Sequence, residues 1–237
     1  MLYCTSLDCL PKTSLTNKCI VLDLDETLVH TWDEEDIPKI RSLNLFRNPH
    51  LLDIRQRTYH FFLEDVGGRK GEGEQWEVWG ITRPHLTEFL TFCFSYFRVV
   101  AIWSAGQKQY VEAICDYIFQ DIKRPHLIYS FYDCENIHSR DFPISKPLLK
   151  MIESEPHLQS YMSLSNTFVV DDRRSTFEKV NPYNGILIPE YSPRLTLESL
   201  RENDTALISL RNWFQRPEVM AAPDVRTLNK SRIFLSP

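Results

Sequence analysis

The stretch KCIVLDLDETLVH, residues 18–30, constrains the fold more than any other part of the chain. A short apolar, β-branched run reads as a strand buried on both faces, and this one leads into two aspartates one residue apart. Two further runs have the same form. NTFVVDD (166–172) ends in Asp171 and Asp172, and RVVAIWS (98–104) ends in Ser104. In open parallel sheets ligands bind just beyond the carboxyl ends of the strands, so these residues are expected to share one crevice.

Helical periods separate the strands. RPHLTEFLTFCFSYF (83–97) is helical with Pro84 in its first turn, and GQKQYVEAICDYIF (106–119) is the next helix. HLIYSFYD (126–133) and GILIPE (185–190) read as strands, SKPLLKMIES (145–154) as a helix, and residues 196–216 as helical. This alternation predicts an α/β fold, a Rossmann-like parallel sheet flanked by helices. RTYHFFLEDV and EQWEVWGI, on either side of GGRKGEGE, predict an antiparallel hairpin inserted after the first strand. The expected organisation is an N-terminal extension (1–17), one catalytic domain (18–216) with its insertion at about 31–81, and an irregular C-terminal tail (217–237).

Each candidate residue has a plainer reading. An acid after a strand often caps the next helix, Ser104-Ala-Gly-Gln107 fits a capping box, and Lys146 fits an exposed lysine early in a helix. Four strand ends or helix starts delivering Asp, Ser, Lys and Asp-Asp to one edge argue together against those readings. Such a cluster of carboxylates repels itself without a cation, and oxygen donors with no His or Cys favour Mg²⁺ over zinc. A net charge of −5 gives no electrostatic reason to expect direct nucleic-acid binding. The longest apolar run, FLTFCFSYFRVVAIW, is broken by Arg98 and is too short for a membrane span. MLYCTSLDCLPKTS lacks the basic start and apolar core of a secretory leader. Six scattered cysteines without a C-x-x-C pair read as reduced thiols of an intracellular protein, nuclear or cytoplasmic, with Cys93 and Cys115 in the core. GGRKGEGE lacks the G-K-[ST] ending of a phosphate-binding P-loop.

DLDETLVH resembles the nucleophile motif of the haloacid dehalogenase superfamily in the D-x-D-x-T form of its phosphatases. In particular it is similar to the phosphatases of the RNA polymerase II carboxy-terminal domain (CTD), a group that includes the small CTD phosphatases, the Fcp-type enzymes and the NLI-interacting-factor-like proteins. The segment from RPHLTEFL to WSAGQKQY, and VVDDR, resemble the later motifs of that group in order and spacing, over roughly residues 18–190.

The resemblance implies a Mg²⁺-dependent protein serine/threonine phosphatase with Asp23 as nucleophile and Asp25 as general acid and base. It implies Ser104 and Lys146 as phosphate ligands, with Thr27 fixing the phosphate-binding loop. The metal set implied is Asp23, the Asp25 carbonyl and an acid of the pair Asp171/Asp172, with Asp172 preferred. The implied partner is a phosphoprotein, the polymerase CTD among the candidates, gripped in an open groove by some of Tyr59, Phe61, Phe62, Trp76 and Trp79. A catalytically silent, phosphopeptide- or partner-binding member is the alternative; loss of an acid from DLDET marks such members, and both acids are present. Two departures stand out. His85 occupies a position usually held by glycine, read here as surface variation, and Lys150 competes with Lys146 for the role of phosphate lysine.

Overall fold

The computed structural model describes residues 14–66, 73–140 and 142–235, so Cys4, Cys9 and most of the glycine-rich tip lie outside the described residues. Its centre is β1 (Cys19–Leu22), with β5 (Val99–Trp103) on one side and β7 (Thr167–Asp171) on the other, all parallel. β6 (Leu127–Tyr129) and β8 (Gly185–Leu187) complete a five-stranded parallel sheet in the order β6-β5-β1-β7-β8. The chain steps outward from β1 to β5 and β6, then returns to place β7 and β8 on the opposite side. The reversal of direction lies beside β1.

The uninterrupted apolar character of β1 follows from burial on both faces. Ile20 and Leu22 join Val100, Ile102, Phe168 and Val170 on one side. That side is covered by α3 (Leu86–Tyr96), α4 (Lys108–Ile118) and α7 (Ala206–Phe214). Cys19 and Val21 face the other side with Trp103 and Val169, under α5 (Leu148–Ser154). Burial of Cys93 and Cys115 agrees with their reading as core thiols.

The insertion forms a second sheet. β3 (Thr58–Val66) and β4 (Glu74–Thr82) are the expected hairpin, and β2 (Val29–Trp32) pairs with β4 in the order β2-β4-β3, all antiparallel. β2 had no separate signal, because Val29 and His30 complete the DLDETLVH motif and Thr31 and Trp32 open the insertion after it. Tyr59, Leu63 and Val78 pack this sheet into the main core, while Trp32, Trp79 and Ile81 pack beneath α1 (Ile37–Ser42) and α2 (Leu52–Arg55). The expected helix at 196–216 divides into α6 (Leu197–Leu200) and α7. The segment after 216, read as irregular, contains α8 (Pro217–Ala221), and Val219, Val225 and Ile233 are buried in the main core. Among the described residues, no helix is long and apolar enough to cross a membrane.

Two expectations near α3 need correction. Pro84 precedes the helix and lies outside its first turn, because His85 at its N-cap is left-handed, with φ 66° and ψ 17°. The residue at 85 is therefore not a neutral surface variation. A side chain in this region clashes with its own backbone at a cost of roughly 1–2 kcal/mol, which is the physical reason for glycine there. His85→Gly is expected to stabilise the protein by about 1 kcal/mol, since the weak contact it removes, 3.2 Å from His85 Nε2 to Asn203, is exposed. Urea unfolding checks this: the midpoint rises with an unchanged slope, and an unchanged or lower midpoint contradicts it.

Candidate active site

Asp23, Ser104 and Asp171 stand at the carboxyl ends of three adjacent strands, β1, β5 and β7. The Asp23 amide donates to the Val170 carbonyl at 3.0 Å, which continues the β1–β7 ladder to the first aspartate. The chain then turns sharply. The Leu24 carbonyl accepts from the amides of Thr27, Leu28 and Val29, and Glu26 at the apex is left-handed, with φ 56°. The turn leaves Asp23 and Asp25 on one side of the loop, where both line a cavity of about 450 Å³ with Gly106, Lys146, Asp171 and Arg173.

Lys146 is central to the charge arrangement. It is only 2% exposed and precedes α5, so the reading of an exposed helix lysine does not hold. Its ammonium lies 2.6 Å from Asp23 Oδ1 and 2.7 Å from Asp171 Oδ2. The loop that carries it is held by its own amide donating to the Thr176 carbonyl and by Asn181 donating to its carbonyl. Lys150 instead donates to the carbonyls of Asp133 and Cys134. Among the described residues, one oxygen each from Asp23, Asp171 and Asp172 lie within 4.8 Å of one another.

Burial lowers the Lys146 pKa, but the two carboxylates outweigh it and leave the ammonium more basic than usual. Asp23 is raised well above the usual carboxylate range, first by burial and then by Asp171 and Asp25, against the attraction of Lys146. Asp172 is pushed up to about 6, by burial and then by Asp171. With four carboxylates around one buried ammonium, the site carries a negative surplus. Hard oxygen donors without histidine or cysteine suit a hard divalent cation.

Asp25 has different company. Its Oδ2 accepts from Ser104 Oγ at 3.2 Å, and its Oδ1 accepts a short hydrogen bond from the Tyr110 hydroxyl. Burial raises its pKa, with the Tyr110 bond acting in the opposite direction. Ser104 is fully buried and its oxygen accepts from the Gly106 amide at 2.9 Å. The helix that follows is capped by Gln107, so the capping-box reading of Ser104 fails. Thr27 is also fully buried: its hydroxyl accepts from the Asp172 amide and donates to Asp172 Oδ1, tying the β1 loop to the end of β7.

Two residues had no assigned role. Arg83, with no exposed surface, donates to the Thr27 and Pro189 carbonyls and makes a two-pronged ion pair with Asp204 at 2.8 and 2.9 Å. It locks the β1 loop from below, and the only signal for it was the arginine of RPHL closing a strand. Tyr110 sits in the first turn of α4 and offered no signal, since a tyrosine there reads as packing.

The open parallel sheet with its small antiparallel insertion is a haloacid dehalogenase fold, and here it carries a carboxylate pair after its first strand, a buried lysine and an Asp-Asp at the end of β7. The NLI interacting factor-like phosphatase family matches residues 18–226, and the chain belongs to that family. The CTD phosphatase-like protein 355R of Invertebrate iridescent virus 3 is 24% identical over 204 residues, 84% of this chain and 95% of the viral one. The fold is similar to that of the fission yeast RNA polymerase II CTD phosphatase Fcp1 bound to beryllium fluoride, with TM-score 0.56 and 18% identity. A second structure of Fcp1, an essential RNA polymerase II CTD phosphatase, has TM-score 0.57 and 18% identity. These matches cover 83% and 90% of this chain but only 51% and 58% of the Fcp1 chains, so it spans little more than half their length.

Replacing Lys146 tests the charge arrangement. Lys146→Met keeps most of the stem but strands two buried carboxylates, which is expected to cost about 3 kcal/mol at pH 8 in EDTA. Without the ammonium the Asp23 pKa rises further. The penalty is then present above that raised pKa and relieved as pH falls through it, so the deficit relative to wild type is smaller at pH 5. Urea unfolding of both proteins at the two pH values checks this, and equal deficits contradict it.

Proposed function

We propose that the chain is a Mg²⁺-dependent phosphoserine/phosphothreonine protein phosphatase that works through an aspartyl-phosphate on Asp23. The carrying observation is that two carboxylates two residues apart have opposite surroundings: Asp23 meets an ammonium, and Asp25 meets neutral hydroxyls. Burial raises the pKa of both carboxyls, but only Asp23 has a fixed ammonium against its charge, and that difference in partners supports Asp23 as nucleophile and Asp25 as acid and base.

Phosphate monoesters hydrolyse so slowly that catalysis has to approach ~10²¹-fold, and a covalent route divides the barrier. An Asp23 oxygen attacks phosphorus as the bond to the seryl or threonyl oxygen breaks. Asp25 gives its proton to that leaving oxygen, then takes one from the water that hydrolyses the acyl phosphate. Lys146 meets the phosphoryl oxygens as a fixed positive charge, with the Ser104–Gly106 turn beside it. Thr27 and Arg83 hold the loop that carries both aspartates.

Asp23, the Asp25 carbonyl and Asp172 are the ligands we assign to Mg²⁺, which when bound supplies charge neutralisation between the nucleophile and the phosphoryl group. Asp172 is favoured over Asp171 because Asp171 already uses both oxygens, one toward Lys146 and one accepting from the Arg173 amide at 2.8 Å.

A polypeptide substrate is supported by a second cavity of about 470 Å³, lined by Trp32, Trp76, Val78 and Tyr110. Tyr110 also touches Asp25, so groove and catalytic cleft meet at that ring. Of the five aromatics considered for this role, Tyr59 and Trp79 are buried, whereas Phe62 and Trp76 remain exposed. We take the polymerase CTD, and with it a nuclear or cytoplasmic location, as the first candidate, on the strength of what the similar proteins act on.

Two outcomes test this reading. Activity on para-nitrophenyl phosphate is expected to vanish in EDTA and return with Mg²⁺. Mg²⁺ is also expected to raise the melting temperature more at pH 8 than at pH 5, because Asp172, with its pKa near 6, has to lose its proton to bind. Full activity after exhaustive chelation contradicts the metal assignment.

The roles of the two aspartates separate by leaving group. Asp25→Asn is expected to lose far more rate on a phosphoserine peptide than in the burst with para-nitrophenyl phosphate, whose leaving group needs no proton. The phosphoenzyme then accumulates, whereas Asp23→Asn forms none with either substrate. Equal losses on both substrates, with no burst, make Asp25 a structural residue.

A further inference from the structure

The hydrogen bond from Tyr110 to Asp25 is the end of a longer chain. The Tyr110 hydroxyl lies 2.6 Å from Thr31 Oγ1, which lies 2.6 Å from the Tyr59 hydroxyl, and that in turn is 3.3 Å from the His30 carbonyl. Each hydroxyl has one proton, which gives the chain a direction. Tyr110 commits its proton to Asp25 and so accepts from Thr31. Thr31 therefore accepts from Tyr59, whose one proton lies along this 2.6 Å contact and not along the longer 3.3 Å one to the His30 carbonyl. Three hydroxyls on β2, β3 and α4 point their donors one after another toward a single carboxylate oxygen, and such chains strengthen each member.

The seating of the two rings is an independent observation. Gly80 faces Tyr59 across the β3–β4 pair, and a Cβ there falls 2.2 Å from the end of the Tyr59 ring. At Gly106 a Cβ falls 2.8 Å from the Tyr110 ring. Both phenols occupy space that any other residue at these positions would fill, so the backbone is arranged around them. At Gly80 the space is taken by the phenol end of Tyr59, its Cζ and Oη, whereas at Gly106 it is taken by ring carbons that a phenylalanine would share.

We propose that Tyr110, backed by Thr31 and Tyr59, is a positioning residue that fixes the Asp25 carboxyl so that Oδ2 carries the proton given to the leaving group. This rests on the acid–base reading of Asp25 above. The firm donor at Oδ1 keeps that oxygen an acceptor throughout the cycle. Oδ2, held only by the 3.2 Å contact from Ser104, is left to bear the proton. In the first step the Oδ2 proton passes to the seryl oxygen as its bond to phosphorus breaks and the Asp23–phosphorus bond forms. In the second, Oδ2 takes a proton from water as the oxygen of that water displaces Asp23. The chain itself neither gains nor loses a proton. Tyr110 and Thr31 also line the aromatic groove, so the side chains that orient the acid are ones a bound polypeptide would touch.

The test compares leaving groups. Tyr110→Phe is expected to lower kcat on a phosphoserine peptide by about tenfold to a hundredfold, the scale of a misplaced catalytic group, with little change in KM. The burst rate with para-nitrophenyl phosphate is expected to change less than about threefold, because that leaving group needs no positioned acid. Adding Tyr110→Phe to Asp25→Asn is expected to cost nothing further on the peptide, since Tyr110 acts only through Asp25. Thr31→Val is expected to give a smaller loss with the same substrate dependence, and carries the test alone if Tyr110→Phe does not fold. Equal losses on both substrates, or a further loss in the double variant, overturn the positioning role while leaving Asp25 as acid and base. If Asp25→Asn itself shows no dependence on the leaving group, the acid–base reading fails and takes this proposal with it.

Discussion

The contact of Lys146 with both Asp23 and Asp171 is the interaction on which the rest of the site depends. Two buried carboxylates at the ends of adjacent strands repel each other strongly in a low dielectric, and neither strand could end there without a shared counter-charge. One lysine between them settles the local balance and still leaves the wider group of four acids short of positive charge. The same imbalance makes the site suited to a cation and to a phosphoryl group together. Stability alone would be served as well by apolar residues of similar volume, so the cluster is better understood by its chemistry than by its contribution to folding.

Sheet topology brings these charges together. Because the chain reverses direction beside β1, the loops after β1, β5 and β7 open over the same crevice, and the buried sheet below them holds their spacing. The insertion adds what a bare parallel sheet lacks. β2 follows the turn after β1 directly and joins β3 and β4, so the wall of the groove is continuous with the turn that bears both aspartates. Arg83, at the end of β4, then closes the structure back onto that turn through the Thr27 carbonyl. One side chain thus joins the loop, the insertion and Asp204.

The two aspartates, two residues apart, sit in different environments. Asp23 sits in an ionic setting in which its charge is countered directly. Asp25 sits among hydroxyls that do not counter its charge, and burial raises the pKa of both carboxyls. Two residues of separation are enough, because the sharp turn at Leu24 puts one carboxyl against α5's approach loop and the other against α4.

Much of this was legible in the chain itself. The strands ending in Asp23, Ser104 and Asp171, the helical periods between them and the hairpin all follow from local rules: buried strands read as apolar runs, helices repeat every 3.6 residues, and glycine clusters mark turns. Contacts between distant hydroxyls obey no such rule. Tyr110 and Asp25 are 85 residues apart, and nothing near either one announces the other. Lys146 had the better spacing to VVDD and Lys150, one helical turn on, remained a lesser candidate; the packing of the loop before α5 turned the first to the acids and left the second on backbone carbonyls. The unusual cost at His85 was likewise hidden, because a sequence records the residue but not its φ. Local periodicity therefore determined the elements and the edge at which chemistry gathers. The tertiary structure decided which side chains meet there, because those contacts depend on how separate elements pack and not on any spacing within one of them.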